Sequence, residues 1–558
     1  MKPGSVILGR APISGCKGAV AAGHQDTAEI GLDAIRRGGN AVDAAIAGAF
    51  AAFVVEPQMC GIGGHGRMSV YLSKSDRAVG IDHFIRAPKA ATPEMYKDAL
   101  ARWRSAGKGG VEGAINTTGH LSVGIPGSIA GLWEAHRRFA KLPWASLVGP
   151  AIDLARAGVI ADVKLTASIS GRGAEIRQYP EAARLLLPDG MPPRPATPAG
   201  PLHRFDFADM AQTLQAIAER GAAAFYDGPI AAATAREMAE NGGLLAAEDL
   251  AGYRPDTFLQ PWYSYRGCDY ATCGDLIFVE CLNILERFDL PALDPHGGAS
   301  RHLIAEALAQ AFADNFAHAG DPRHRESPLE GLASKAFAAL QAARIGPDKA
   351  QVGYEPGDPW PHQGPTPSAP PPPFEGTTQI CAADGDGNMV SLITSLGSAF
   401  GSLVLVPGTG IFLGNAMQWF DPQPGRANSV GPGRMPLYAA PAAVFRNGGQ
   451  ALGAIAASGG YRIQTAILYA TLNYLDYSVD PQRSIDLPRL HHEGQELELD
   501  SRTDPAAIAH LRRLGHSIRL IDGVGIPTSF GRPSAVWRNS DGSLAPASDA
   551  RGGGVAAF

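Results

Sequence analysis

The sequence predicts an α+β protein whose helix-rich first part precedes a strand-rich last part. Three observations carry that expectation. The 558 residues are 45% hydrophobic and 18% charged, a globular balance with ample material for a core. Helical periodicity dominates as far as about residue 345. Beyond a proline-rich run at 354–376, period-two alternation takes over. Length alone leaves one to four domains open.

Taken in order, the stretch from Ala21 to Glu56 reads as helical. His24-Gln25-Asp26-Thr27 offers cap residues, Gly38-Gly39-Asn40 breaks the helix, and a second, apolar helix follows from Ala41. That apolar stretch, Ala44 to Val55, is shorter than the ~20 residues a bilayer span needs and reads as a buried helix. The Gly-rich loop Cys60 to Gly66 follows, and Met68, Val70 and Leu72 then alternate as in a strand. From Ile125 to about Ile345 the pattern is mainly helical: Pro126-Gly127 opens one helix, Trp144–Ala157 is amphipathic, and Glu248-Asp249-Leu250 begins a short piece. The run 354–376 (YEPGDPWPHQGPTPSAPPPPFEG) cannot form regular helix or sheet, because proline lacks a donor and fixes φ, so a surface linker is expected. After it, Thr378, Ile380 and Ala382 alternate, Asp386-Gly387-Asn388 supplies a hairpin turn, and Met389–Thr394 returns. Further strands are expected at Leu403–Val406, Ala442–Phe445 and Leu452–Ala456, and helices at Gln464–Leu475 and Pro505–Leu514.

Charge and motifs exclude several classes. The formal net charge is −6 and no Lys/Arg run stands out, so no nucleic-acid partner is expected. No secretory signal and no membrane span are read, which gives a cytoplasmic expectation. The six cysteines form no Cys-x-x-Cys pair and are expected as buried thiols. The loop Gly61-Ile62-Gly63-Gly64-His65-Gly66 lacks the Gly-Lys-Ser/Thr of a phosphate loop. Adjacent histidines such as His491-His492 point apart and lack a third ligand at suitable spacing, so neither a metal nor any other cofactor is expected.

The chemistry centres on Gly376-Thr377-Thr378. A threonine hydroxyl directly after glycine can attack the glycine carbonyl; an N→O shift gives an ester, and water completes the cut. The new α-amine, with an unperturbed pKa near ~7.7–8.0, can then serve as general base for its own hydroxyl. Gly-Thr-Thr alone carries no weight as a signal. Context supplies it. Gly38-Gly39-Asn40-Ala41-Val42-Asp43-Ala44-Ala45, Glu56-Pro57, Gly61-Ile62-Gly63-Gly64, Ala87-Pro88, Val123-Gly124-Ile125-Pro126-Gly127, Phe225-Tyr226-Asp227-Gly228 and Gly242-Gly243-Leu244-Leu245 stand in the first part. Thr377-Thr378, Asp386-Gly387-Asn388, Thr394-Ser395-Leu396, Phe400-Gly401, Gly408-Thr409-Gly410-Ile411, Gly459-Gly460 with Arg462, Pro488-Arg489 and Ser548-Asp549 with Arg551 stand in the last. In this order and spacing, the chain from about Ala21 to Phe558 resembles the γ-glutamyltransferase family of N-terminal-nucleophile hydrolases.

The resemblance implies a four-layer αββα sandwich built from one precursor. Residues 1–376 would form a large subunit ending in the linker 354–376, and 377–558 a small subunit carrying the N-terminal threonine. The cut would fall between Gly376 and Thr377. Thr377 would be the nucleophile, Ser395 the hydroxyl beside it, and the N–H groups of Gly459 and Gly460 the oxyanion hole. The partners implied are a small-molecule amide substrate and the two subunits, with a dimer of such heterodimers left open.

The sequence departs from the family where that family grips an α-amino acid. The arginine of its Arg-Glu-x-Ala-Pro run is Phe84 here, with Ile85 in the glutamate position and Arg86 displaced by two residues. In a continuing strand Arg86 would share the face of Phe84 and replace part of the lost charge. The acidic residue before a phenylalanine is Trp419, the paired serines after Pro-Leu are Tyr438 and Ala439, and the asparagine after Thr-x-Leu is Gly397. Cys381, four residues after Thr377, shares its face and is expected in the core. The expectation is an autoprocessing amidohydrolase or acyltransferase with an altered γ-glutamyl pocket. A genuine γ-glutamyltransferase and a non-catalytic, ligand-binding relative remain as alternatives.

Overall fold

The computed structural model describes residues 9–100, 111–194, 202–274, 276–324, 326–363, 377–436, 441–523 and 530–558. Its strands, in chain order, are β1 (Gly18–Ala22), β2 (His65–Leu72), β3 (Arg77–His83), β4 (Asp256–Leu259), β5 (Tyr263–Tyr265), β6 (Cys268–Cys273), β7 (Thr377–Asp384), β8 (Met389–Ser395), β9 (Ala442–Asn447), β10 (Gln450–Ser458), β11 (Arg532–Arg538), β12 (Leu544–Ser548) and β13 (Gly554–Ala557), apart from short two- and three-stranded ribbons outside the main sheets. A seven-stranded antiparallel sheet runs β13-β1-β7-β8-β2-β3-β4, and a six-stranded one runs β12-β11-β10-β9-β6-β5. Both mix strands from before and after the Gly376–Thr377 bond.

The two sheets stack face to face, with β10 lying across β7 and β8. Ser391 donates to the Ile455 carbonyl across the gap (2.8 Å), and Gln379 donates to the Ser534 hydroxyl (2.9 Å). Helices cover the outer faces. On the seven-stranded sheet lie α1 (Gln25–Arg36), α2 (Ala41–Val55), α3 (Ser128–Phe139) and α4 (Trp144–Ala157); on the other side lie α5 (Leu276–Leu285), α6 (Gly298–His318) and α7 (Arg462–Leu475). The result is a four-layer αββα sandwich.

Burial on both sheet faces explains why the central strands carry apolar residues on both of their sides. On β7 and β8 the residues Ile380, Ala382, Val390 and Leu392 face the helices, while Cys381, Ala383, Met389 and Ile393 fill the space between sheets. Cys381 is thus core, with its thiol on the Ser534 carbonyl at 3.2 Å. Helix α2 begins in a capping box: Asn40 accepts from the amides of Val42 and Asp43, and Asp43 accepts from the Asn40 amide. Every residue of α2 is buried, because α1, α4 and the sheet surround it.

Several sequence expectations change. Ala21 and Ala22 belong to β1, so the first helix starts only at Gln25, with His24 as its cap. The stretch read as helical to Ile345 also contains β4, β5 and β6. The strand expected at Leu403–Val406 is confined to Leu405–Val406, since Leu403 takes a left-handed φ of +67°. Part of the proline-rich run is fastened down: Gly357 N–H donates to Asp314 (2.5 Å), and Trp360–His362 forms a 3-10 turn. The rest of that run, 364–376, lies outside the described residues. Cys16 is exposed, whereas the other five thiols are buried. No helix among the described residues is long and apolar enough to cross a membrane.

Phe50 is fully buried in α2, edge-on to Phe53 and Trp144 at 5.7 and 5.2 Å. Phe50→Ala is expected to cost about 3–5 kcal/mol in urea unfolding, while a loss below about 1 kcal/mol would contradict this packing.

Candidate active site

The β7–β8 hairpin sets the site. Its last cross-strand pair is Thr377 opposite Ser395, and Ser395 is in turn opposite His65 on β2. Residues directly opposite on adjacent strands share a face. These three side chains therefore form one row on the face between the sheets. Thr377 is fully buried, and its hydroxyl lies 3.4 Å from that of Ser395, a long contact. The Ser395 oxygen accepts the Gly397 amide at 2.9 Å, which fixes its direction. Burial, with His83 and Arg67 adding, holds the His65 imidazole well below its usual pKa, so it is neutral at physiological pH.

The next residue points the other way. Thr378 donates to the Glu56 carboxylate at the end of α2 (2.7 Å). Lys164 lies 3.5 Å from that carboxylate and also donates to the carbonyls of Gly23 and Gly552, each at 3.0 Å. Burial alone would push the Glu56 carboxyl up. Lys164, His24, the Thr378 hydroxyl and Arg532 outweigh it and hold the group below its ordinary value.

Gly459 and Gly460 follow the end of β10 and precede α7. Both have positive φ, +134° and +66°. A Cβ on Gly459 would stand 2.6 Å from the Gly531 Cα, so only glycine fits. The turn sits at a helix N-terminus, where backbone dipoles favour negative charge. It shares a rim of the sandwich with the Thr377 row. Arg532, paired with Ser458, reaches the Met59 sulfur (3.7 Å), and the Met59 carbonyl accepts the Leu396 amide (3.1 Å).

The departures from the family pattern fall around this rim. Phe84 lies just past the end of β3, fully buried, edge-on to His65 at 4.5 Å and 5.6 Å from the Arg67 guanidinium. Because β3 stops at His83, Arg86 does not continue its alternation; its guanidinium is committed to Asp256 at 2.9 Å. The reading of Arg86 as a free replacement charge is corrected accordingly. Trp419 is 1% exposed and edge-on to Tyr461, the residue after the diglycine turn (5.8 Å); Tyr461 also meets Phe312 and Phe316. At Gly397, with φ +101°, an added Cβ would lie 1.9 Å from the Asn415 side-chain oxygen. Asn415 thus fills the space beside Gly397, accepting from the Ser398 amide (2.8 Å) and the Gln418 side chain (2.9 Å). Gly376, Tyr438 and Ala439 lie outside the described residues. His491 and His492 make local contacts, the first with Thr465 and Glu493, the second with the Gly494 amide.

Sequence reasoning gave no role to Glu56, His65, Lys164, Asn415 or Tyr461. Glu56 and His65 stood inside or beside quoted motifs, the one signal that could have found them. Lys164 and Asn415 had none.

Comparison with known proteins gives a consistent result. The family profile described as Gamma-glutamyltranspeptidase matches residues 27–558. The chain is 33% identical over 556 residues to the Acylase ACY 1 proenzyme of Pseudomonas sp. (strain SE83), covering 98% of this chain and 94% of that protein. It is 30% identical over 562 residues to the Glutathione hydrolase proenzyme of Escherichia coli (strain K12), covering 97% and 91%. The crystal structure of cephalosporin acylase from Bacillus halodurans superposes with a TM-score of 0.87 at 28% identity, over 100% of this chain and 98% of that one.

The Glu56 anchor has a pH signature. A carboxyl whose folded pKa is depressed contributes stability above its unfolded value, here 4.5, and loses it as pH falls through the folded value. The stability gap between wild type and Glu56→Gln should therefore be full at neutral pH and narrow at an acid pH below 4.5. Urea unfolding at both pH values measures it, and a gap that stays constant contradicts the ionised anchor. Thr378→Val, which removes one donor, should cost about 1–3 kcal/mol at neutral pH.

Proposed function

The chain belongs to the γ-glutamyltranspeptidase family, an amide hydrolase or acyltransferase of the N-terminal-nucleophile class, and we propose that it works as a self-cleaving acylase on amides whose acyl group lacks an α-amino-acid end. The observation that carries this reading is the replacement of charge by aromatic rings around the Thr377 row: Phe84 on His65, and Trp419 on Tyr461. An ammonium and a carboxylate buried against these rings would lose hydration without gaining partners, at a cost of several kcal/mol. Arg86, already paired with Asp256, offers no uncommitted cation.

In the proposed sequence of steps, the Thr377 hydroxyl attacks the Gly376 carbonyl carbon. The C–N bond breaks, the α-nitrogen takes the proton, and water hydrolyses the resulting ester, leaving Thr377 as a chain terminus. Its free amine then takes the proton from its own hydroxyl as that oxygen attacks a substrate amide. The amide N–H groups of Gly459 and Gly460 receive the oxyanion at the start of α7, a charge present only in the transition state. The leaving amine departs with the relayed proton, and water or a second amine releases the acyl group from Thr377. Ser395 holds the threonine oxygen in register, and Glu56, through Thr378, holds the strand behind it. The names of the relatives support both an acylase and a glutathione hydrolase; the aromatic rim favours the former.

Wild type is expected to run as two bands on a denaturing gel, split after Gly376, and Thr377→Ala as one band of 58.2 kDa. A single band from active wild-type protein contradicts the scheme. Among p-nitroanilides, kcat/KM for a neutral acyl group such as hexanoyl should exceed that for γ-glutamyl by more than about 100-fold. Equal efficiency with γ-glutamyl, lost in Phe84→Ala, would reverse the pocket assignment. Preference for glutaryl over hexanoyl would return a binding role to Arg86.

A further inference from the structure

Outside the Thr377 row, one buried cluster has no part in the chemistry described. His302 and Glu306 stand one turn apart on the same face of α6, and His516 follows the helix Pro505–Leu514. All three are buried, and one ligand atom from each lies within 4.8 Å of the other two. We propose that His302 Nδ1, His516 Nε2 and the Glu306 carboxylate bind a divalent first-row metal ion of the zinc type.

The outer contacts are arranged as such an ion requires. His302 Nε2 lies 2.8 Å from the Gly346 carbonyl. A carbonyl only accepts, so Nε2 carries the proton and Nδ1 presents its lone pair inward. That lone pair lies 2.8 Å from His516 Nε2, which is 3.9 Å from Glu306. The carboxylate is oriented by the Tyr354 hydroxyl (2.8 Å) and the Gln351 amide (3.3 Å). Among the described residues, no lysine or arginine pairs with Glu306, although its side chain is fully buried. A buried carboxylate without a counter-cation is costly. A cation at the meeting point of two imidazole nitrogens and this carboxylate supplies that charge. Two imidazoles and one carboxylate match zinc chemistry, with the fourth position left to water. His302 and Glu306 precede the Gly376–Thr377 bond, and His516 follows it. In a chain cut as proposed above, the ion joins the two fragments, but binding itself does not depend on the cut.

The test uses the full-length protein stripped with a strong chelator, dialysed, and titrated with Zn²⁺ against a chromophoric competitor, with zinc content read by mass spectrometry. Wild type should take up one zinc per chain, and the stripped protein should melt at a lower temperature than the loaded one. His302→Gln and His516→Gln should lose that equivalent and the thermal shift. Tyr354→Phe, which loosens only the carboxylate, should weaken affinity by about 10–100-fold. Stripped wild type that binds well under one equivalent overturns the proposal, whether or not the variants fold. So does zinc held equally by wild type and folded His516→Gln.

Discussion

The hydrogen bond from Thr378 to the buried Glu56 carboxylate is the constraint on which the site depends. Side chains alternate along a strand, so fixing residue 378 on the helical face leaves residue 377 no choice but the face between the sheets. A slip of one residue would turn the Thr377 hydroxyl into the helix layer. Glu56 resists that slip because it is buried and held from behind by Lys164. The anchor is thus a device for direction, and its energetic weight comes from being dry.

Around the row of Thr377, Ser395 and His65, polarity and apolar surface are sharply divided. The row itself and the diglycine turn supply hydroxyls, a neutral imidazole and backbone amides. Aromatic rings lie beside both: Phe84 on His65, and Trp419 on Tyr461, the residue after the diglycine turn. A wall of rings lowers the local dielectric and strengthens dipoles aimed at a developing charge, while penalising any substrate that brings its own uncompensated ions. Under the function proposed above, the same substitution acts on both rate and choice of substrate.

Much of this was legible in the sequence, and the failures have physical causes. Trp144–Ala157 and Pro505–Leu514 were read with correct limits because Pro, Gly and Asp signals bound them. The β7–β8 hairpin was legible through its alternation and its Asp-Gly-Asn turn. β1 was missed because Gly-Ala-Val-Ala-Ala, buried on both faces, has no polar side to alternate with and runs into a helix. β4, β5 and β6 were lost inside a long helical stretch, where their Tyr and Phe content was outweighed by the surrounding periodicity. Thr377 and Ser395 were singled out through the family pattern, since no local rule distinguishes Gly-Thr-Thr from an ordinary strand start. Partners such as Glu56 and Thr378, separated by 322 positions, meet only through the tertiary fold. Arg86 shows the limit of periodicity: the alternation argument fails once the strand ends at His83.

The order of strands in the first sheet carries a consequence for timing. β7 and β8 sit in the middle, with β1 on one flank and β2 on the other, so each shares a hydrogen-bonded ladder with a strand made hundreds of residues earlier. During synthesis β1 lacks both of its ladder neighbours, and β2 has only β3 beside it, until the ribosome has passed the β7–β8 hairpin. Under the cleavage proposed above, Thr377 meets Ser395 and its neighbours only once this hairpin is seated. In that scheme the sheet acts as its own clock, withholding the cut from a chain that has not finished assembling.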